Sequence, residues 1–396
     1  MYEALKNPRI RLLTTPIVII LCLTLIVPVL SGCSSTAASN TYIELMSLVP
    51  ADFAVRDSGY VSFVLIDHSS YYEDYGITFS TPEEFIDLFG TTPLINYLAY
   101  GDFITGYTRY LLTSPIRKEY VGYDITYVDA EIHIREHPTI GIAAIGRFDP
   151  QATRDALSHQ DEWPSWAVTA YTSEDYRGVT IHSWGSGLET HMSTTLCPPH
   201  IDQLGRARPL AVTDKYLFNA NSAEDIKLSI DTSQGQHSSL ADLPEYAAIA
   251  NGLTDLNVYA AMVCEEAIAN LFLSSLEYEH NPQSEAEVEM LINSMGIPLK
   301  NFLIFGTGLG ADEKGTYTAV VLYHENSDDA LQNVSLLKQR IENVKSISSD
   351  ELWSTIISDT DITTEGNTLL AKLYTSSQGF WLNLIYDWDN LLFHEE

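Results

Sequence analysis

An uncharged apolar run near the N-terminus places the strongest constraint on this chain. The run extends from Pro16 to Leu30, and the segment before it carries Lys6, Arg9 and Arg11 against a single acid. A basic flank followed by a short apolar core and small residues is typical of a secretory signal. The core is also shorter than the roughly 20 residues that a membrane-spanning helix needs. The sequence therefore predicts export and removal of a signal peptide over residues 1–32.

The apolar core ends in the tetrapeptide Leu30-Ser31-Gly32-Cys33. This motif resembles the lipobox of bacterial lipoproteins, at the right distance from the basic flank. The resemblance implies that Cys33 carries acyl chains such as palmitate and becomes the new N-terminus. Residues 33–40 are rich in Ser, Thr and Ala and predict a flexible tether. We expect the chain to be anchored by lipid at the extracytoplasmic face of a cell-envelope membrane. The alternative is an uncleaved N-terminal anchor with an incidental cysteine.

The charge balance excludes one broad class of function. The formal net charge is −32 at pH 7, with 53 acidic against 21 basic residues. Such a chain repels nucleic acid and anionic lipid headgroups, so we expect no nucleic-acid partner. The acids are spread along the chain, which indicates a solvated surface. Weak cation binding, or a basic partner, is the alternative interpretation.

Periodicity indicates short strands mixed with helices. Residues 125–134 alternate in polarity and predict a half-exposed strand with Glu131 and His133 towards solvent. Thr81-Pro82-Glu83-Glu84 has the residues of a helix start, whereas the tyrosine-rich segment 71–76 predicts a loop. The apolar stretch 258–273 fits either a buried strand or a helix.

Two parts of the chain repeat the order strand, strand, helix, strand, strand. In both parts a glycine, Gly178 or Gly366, precedes the third strand. We therefore predict an α+β fold of largely antiparallel sheets with helices on one face, built from a duplicated unit. The first α+β domain would cover residues 41–285, and the second, repeat-like unit residues 286–396. The predicted elements are 131–134, 140–145, a helix after Asp149, a strand after Gly178 and a strand ending at Phe218, then 302–306, 317–324, a helix over 328–344, and strands over 368–374 and 380–386.

Three short motifs carry a second resemblance. They are Leu48-Val49-Pro50-Ala51-Asp52, Tyr176-Arg177-Gly178-Val179 and Ser239-Leu240-Ala241-Asp242. With these motifs the chain resembles a family of extracytoplasmic bacterial proteins known only as a domain of unknown function. The resemblance spans most of residues 41–390 and implies neither an activity nor catalytic residues.

Cysteines and histidines supply the candidate site residues of the mature chain. Cys197 and Cys264 would lie outside the cytoplasm, where a disulfide between them is one possibility and two buried thiols are the other. Such a bridge would contribute about 4 kcal/mol to stability in the chain-entropy view. His191, Cys197 and His200 are the best candidate metal ligands, but no metal-binding motif supports them. We expect exposed loop histidines there, with no metal and no cofactor.

Two further segments imitate ligand-binding loops. Residues 359–365 place oxygen side chains at alternate positions, as calcium loops do, but Leu370 stands where the final glutamate is needed. This segment therefore predicts a polar loop. Residues 306–310 are glycine-rich, but a strand follows them where a phosphate loop needs a helix. The glycine-rich segment therefore predicts part of a β-hairpin.

These observations favour a membrane-anchored, non-enzymatic binding or scaffolding protein, with the membrane as one partner and an envelope protein as another. No motif singles out a catalytic residue. Two alternatives stay open. One is an extracytoplasmic hydrolase that acts on glycan or peptide with carboxylates that the sequence does not reveal. The other is the solute-binding lipoprotein of a transporter, which would have two α/β lobes.

Overall fold

The structure is a computed structural model of the chain. It describes residues 40–55, 61–88, 117–136, 139–159, 171–184, 208–265, 295–377, 379–386 and 389–394. The predicted signal peptide, most of the predicted tether and Cys33 lie outside these residues. Residues 40–396 form one compact unit. Among the described residues, no helix combines the length and the apolar character needed to cross a membrane.

One antiparallel sheet organises the compact unit. The described strands follow one another across it in the order β11-β12-β10-β9-β8-β1-β2-β3-β7-β6-β5-β4. β-branched and aromatic residues make up much of Ser62–Asp67 and Gly315–Tyr323, two strands of this sheet, and such side chains pack well on a pleated surface. The strands are β1 Ser62–Asp67, β2 Val128–Glu136, β3 Thr139–Gly146, β4 Tyr171–Tyr176, β5 Val179–Trp184, β6 Leu210–Val212, β7 Tyr216–Asn219, β8 Val258–Cys264, β9 Ile304–Asp312, β10 Gly315–Tyr323, β11 Ile357–Glu365 and β12 Thr368–Thr375.

Most of the described helices are short, and three longer ones pack along the sheet. The described α-helices are α1 Thr41–Met46, α2 His68–Asp74, α3 Pro82–Leu88, α4 Arg117–Val121, α5 Pro150–Ser158, α6 Ala223–Ser233, α7 Pro244–Asp255, α8 Ser327–Asn343, α9 Trp353–Ile356 and α10 Phe380–Tyr386. The described 3-10 turns are Ala51–Val55, Ile125–Tyr127, Leu240–Asp242 and Asn390–Leu392.

Helices cover both faces of the sheet, not the single face that the sequence predicts. All six positions of β1 are buried, so each face of this strand needs a covering layer. Val64 and Ile66 belong to one core, which includes side chains of α2, α8 and α10. Phe63 and Leu65 belong to the other core, which includes side chains of α1, α6 and α7. Each large apolar side chain buried in this way contributes about 1.5–3 kcal/mol. The α+β class and the antiparallel sheet are confirmed.

The repeated order of elements is present, with different members from those predicted. The strands β2-β3, helix α5 and hairpin β4-β5 correspond to β9-β10, helix α8 and hairpin β11-β12. One further strand precedes each series: β1 precedes β2 in the first half of the repeat, and β8 precedes β9 in the second half. These two strands pair near the middle of the sheet. The hairpin β6-β7 lies between β3 and β5 and interrupts the sheet order of the first half only.

Residues 380–386 form helix α10 and not the predicted strand. Phe380, Trp381 and Leu384 are buried, and their spacing of one and four residues places them on one side of a helix. An apolar run of seven residues fits both structures, and packing against β9 selects the helix. The segment 71–76 is likewise helical at its start, in α2, and not a loop.

The two predicted ranges, 41–285 and 286–396, contribute to the same sheet. Strand β8 from the first range pairs with β9 from the second over Val258 to Cys264. The stretch that was ambiguous between strand and helix is therefore a strand over its first seven residues, with all seven buried. This pairing joins the two predicted ranges in one sheet.

The glycine-rich segment 306–310 lies in β9, and its pairing with β10 confirms the predicted hairpin. Gly308 is needed for close packing, because a Cβ there would lie 2.5 Å from the carbonyl oxygen of Ala260. Gly252 serves the same purpose in α7, where a Cβ would lie 2.7 Å from a methyl group of Val321. Glycine thus lets β9 approach β8, and α7 approach β10.

Candidate functional site

A group of three buried polar side chains lies beneath α2, against the centre of the sheet. Strand β1 ends at Asp67, whose carboxylate accepts a hydrogen bond of 2.9 Å from the backbone N–H of Ser70. This cap starts α2 immediately after the strand and turns the chain back over the sheet. His68, the first residue of α2, is thereby placed above β2.

Strand β2 supplies the other two members of the group. Glu131 and His133 alternate along the strand and therefore face the same side of the sheet. They lie opposite Ile66 and Val64 of β1, respectively. The site is a carboxylate held between two imidazoles, and we call His68, Glu131 and His133 the His–Glu–His cluster.

Both oxygens of the Glu131 carboxylate are occupied. The Nε2 atom of His68 lies 3.1 Å from Oε1, and the Nε2 atom of His133 lies 3.1 Å from Oε2. The exposed fractions are 3% for Glu131, 0% for His133 and 6% for His68. For His68, a hydrogen bond to an anionic oxygen requires that Nε2 carry the hydrogen, whereas His133 is placed to form an ion pair when its ring is protonated.

The electrostatics of the cluster favour an ionised carboxylate. Burial by itself raises the pKa of Glu131, but the charges and hydrogen bonds of His133 and His68 outweigh it and lower the pKa below its usual value. A buried carboxylate is stable only with such partners, because an unpaired charge in the interior costs several kcal/mol. The sequence predicts Glu131 and His133 on a solvent-exposed face, and this prediction is wrong because α2 covers that face.

Tyr72 extends the cluster towards the neighbouring aromatic side chains. Its hydroxyl lies 3.4 Å from Nδ1 of His68, and the two rings stack with centroids 5.9 Å apart. Burial, and then the charge of Glu131, raise the pKa of Tyr72 well above its usual value. The phenol therefore stays neutral and is a poor nucleophile, although a Tyr–His–Glu chain has the outline of a proton relay.

The end of α2 is bound to the sheet through a second acid. Asp74 accepts a hydrogen bond of 2.6 Å from the hydroxyl of Tyr259, on β8. The side-chain N–H of Asn257 donates to the same oxygen at 3.3 Å. Tyr71 packs edge-on against Tyr259 with ring centroids 5.5 Å apart. Polar contacts thus hold α2 to the sheet at both ends of the helix.

Chemically, the His–Glu–His cluster can hold protons and can fix α2 to β2. In the described part of the chain, no group of three or more His, Cys, Asp or Glu residues has a geometry that could hold a metal ion. The lowered pKa makes Glu131 unsuited to donate a proton as a general acid near neutral pH. The arrangement is that of a structural ion network that positions a helix.

A second buried charge lies in the other half of the molecule. The Arg340 guanidinium, on α8, donates to the carbonyl oxygens of Leu391 at 2.9 Å and Met295 at 3.0 Å. It also donates to the carbonyl oxygens of Ile297 and Asn390. Burial lowers the pKa of Arg340 to about 10. We call this group the Arg340 clasp, because it joins two chain segments to α8.

Most candidate residues from the sequence fall outside the described residues. These are Cys33, Cys197, His191 and His200. Cys264 lies in β8 and is buried. Because Cys197 and Cys33 lie outside the described residues, the disulfide between Cys197 and Cys264 and the acylation of Cys33 stay predictions. Residues 359–365 lie within strand β11 and do not form the predicted loop.

Sequence reasoning missed the His–Glu–His cluster. Its signal was the alternation of Glu131 and His133 together with the Asp67-His68 pair at the end of a predicted strand. The alternation of polar and apolar residues in β2 is typical of a strand with one solvent-exposed face. Only the helical conformation of α2 shows that this face is covered.

Comparisons with known proteins give no family for this chain. No protein family and no curated protein matches the sequence. Among solved structures, crystal form I of TP0453 is similar with a TM-score of 0.35 and 9% sequence identity, covering 87% of this chain and 97% of that one. Crystal form III of the same protein has a TM-score of 0.34 and 9% identity, covering 84% of this chain and 94% of that one.

Proposed function

We propose that the mature chain is a lipid-anchored binding or scaffolding protein on the extracytoplasmic side of a membrane. The observation that supports the binding role is the continuous sheet formed by the described strands, with helical layers on both faces. A solute-binding lipoprotein of a transporter would need two lobes with a cleft between them. The anchor is supported by Leu30-Ser31-Gly32-Cys33 at the end of a secretory signal.

The anchor is tested by acylation in a bacterial host. The full-length chain is produced with an alkyne analogue of palmitate in the medium, and incorporation is read after coupling to a fluorophore. We expect the wild type to be labelled and to sediment with membranes, and Cys33→Ser to lose the label. Cys22→Ser is the matched control, because Cys22 lies inside the segment that is removed. Persistent labelling of the Cys33→Ser variant would contradict the proposal.

The binding role is tested on the protein in its envelope. Intact cells are treated with a cross-linker, and the chain is recovered through an affinity tag. We expect a discrete cross-linked partner that persists at physiological salt. Turnover of peptidoglycan fragments or peptides by the purified protein would instead favour the hydrolase. The low pKa of Glu131 argues against this carboxylate as the acid of such an enzyme.

A further inference from the structure

The two outer strands of the sheet, β4 and β11, differ in how their side chains are used. Among the described strands, β11 pairs only with β12, so the opposite edge of β11 has no neighbouring strand. The N–H and C=O groups along such an edge can hydrogen bond to an added strand. An extended peptide that binds in this way takes its affinity from the main chain and its specificity from alternate side chains.

Strand β11 presents such an alternating row. Asp361, Thr363 and Glu365 are all exposed, and their spacing of two residues places them on one side of the strand. Within the described part of the chain, none of these three side chains makes a hydrogen bond or an ion pair, although Asp361 lies opposite Lys372 of β12 and its charge also raises the pKa of Lys314. The row therefore offers two acids, about 13 Å apart along an extended strand, that no described side chain neutralises by direct contact.

The start of β11 is less available for binding an added strand. Asp359 is paired with Lys314, at 2.8 Å between Nζ and Oδ2. Its other carboxylate oxygen accepts a hydrogen bond of 2.9 Å from the N–H of Thr360. The pairing with β12 is also irregular between Ile357 and Asp359. The usable edge thus runs from Asp361 to Glu365.

Several side chains of the opposite outer strand, β4, contact other parts of the protein. Glu174, on β4, pairs with Lys227 of α6, at 3.0 Å. The Tyr176 hydroxyl donates to Asp231 of α6, at 3.0 Å. These contacts use the polar side chains of β4 to hold α6, so β4 is the weaker candidate for binding.

A second copy of this chain is a poor occupant for the edge of β11. Antiparallel pairing of two β11 strands would bring Asp361 and Glu365 of one copy near the acids of the other, and like charges across a strand pair are destabilising. A basic segment has the complementary charge. We infer that the edge of β11 binds an extended segment of a basic partner protein as an added strand, with its Lys or Arg side chains beside Asp361 and Glu365. This inference rests on the proposed binding role and names the chemistry of the partner.

The test uses two synthetic peptides of identical composition. In the first, lysine alternates with valine and threonine. In the second, the lysines are contiguous. Binding to the mature chain carrying Cys33→Ser is measured by fluorescence anisotropy at physiological salt. We expect the alternating peptide to bind about tenfold more tightly, because only its lysines match the spacing along β11. Amide hydrogen exchange should slow at residues 361–365 when this peptide binds.

Charge reversal on β11 distinguishes specific peptide binding at this edge from general attraction of a basic peptide to an acidic protein. The double variant Asp361→Lys with Glu365→Lys should weaken binding of the alternating peptide about tenfold. The control, Glu342→Lys with Glu351→Lys, makes the same charge change at exposed positions elsewhere and should change binding less than about twofold. Circular dichroism verifies that both variants are folded.

Equal binding of the two peptides, equal losses in the two variants, or protection confined to β4 would each overturn the inference. The acids of β11 would then serve only to keep other strands away from the edge. Because the assay uses purified protein without membranes, its outcome is independent of acylation at Cys33. A negative result in the acylation experiment can therefore be distinguished from a negative result for peptide binding at the edge of β11.

Discussion

At the scale of single residues, the protein buries charge where it has enough partners to hold it. Glu131 has an imidazole on each oxygen, and Arg340 has main-chain carbonyl oxygens around its guanidinium. Removing one member of such a group leaves the others desolvated and unpaired, which costs more than the group contributes when complete. These positions are therefore where single substitutions should have large effects.

We expect Glu131→Gln to lower the free energy of unfolding by about 3 kcal/mol at pH 7, because two buried histidines lose their anionic partner. The pKa of Glu131 is lowered in the folded protein, so its contribution is present above the unfolded value of about 4.3 and is lost as the pH falls below it. The free energy of unfolding in urea, measured from pH 7 to pH 3, should fall towards low pH in the wild type and should fall less in the variant.

The exposed Glu313, in the turn between β9 and β10, provides the control. Glu313→Gln should alter stability at pH 7 by less than about 0.5 kcal/mol. Parallel pH curves for the wild type and Glu131→Gln would contradict the assigned role of the cluster.

His182 should make the stability of the fold depend on pH over a separate range. Its ring, on β5, is buried, and Nδ1 lies 2.9 Å from the hydroxyl of Tyr171. Burial, aided by the charge of Arg154, lowers the pKa of His182 to about 4. The unfolded chain therefore binds this proton at a higher pH than the folded protein, and stability falls as the pH drops from about 6.5 to about 4.

We expect His182→Gln to remove part of this decline, since glutamine can keep a hydrogen bond to Tyr171 but does not titrate. The measurement is the free energy of unfolding in urea at pH 7, 6, 5 and 4.5. His159→Gln is the control, because His159 lies at the exposed end of α5. A slope that is the same in the His182 variant and in the wild type would refute the assignment.

At the scale of elements, side chains from helices decide which segments stay attached to the sheet. Helix α2 is held through His68 at its start and Asp74 at its end. Helix α8 is held through Leu337 and Ile341 in the core and through the Arg340 clasp. The clasp is the principal polar link between α8 and the C-terminal segment 389–394 that the described contacts show.

We expect Arg340→Lys to weaken this link, because an ammonium group has three donors on one atom and cannot reach carbonyl oxygens on both sides as a guanidinium does. Stability should fall by about 2 kcal/mol. Amide hydrogen exchange should speed up first at residues 295–299 and 389–394. Lys338→Ala, at an exposed position of the same helix, should leave both quantities nearly unchanged. Uniform acceleration over the whole sheet would contradict a local clasp.

At the scale of the whole molecule, the duplicated halves form one cooperative body. The strands β1 and β8, one from each half, pair over five residues at the middle of the sheet. Each core extends across both halves, with Val64 and Leu337 in one core and Phe63 and Tyr317 in the other. Neither half can bury its central strands without the other.

We expect one unfolding transition, with the same midpoint by circular dichroism and by tryptophan fluorescence. A chain of residues 286–396 alone should lack a cooperative transition, because β9 would lose β8 and expose its buried edge. Two separate transitions for the full chain, or a cooperative transition for this fragment, would contradict a single folding unit.

The amino-acid sequence by itself determined the class of the fold, the helix after Thr81, helix α8, the hairpin β9-β10 and the repeated order of elements. Local signals carry these features: caps, glycines at turns and the period of apolar residues. Tertiary structure alone decided that residues 380–386 are helical, that both faces of the sheet are covered, and that Glu131 and His133 are buried. These outcomes depend on which element packs against another, and a polar residue on a strand has the same local pattern whether water or a histidine faces it.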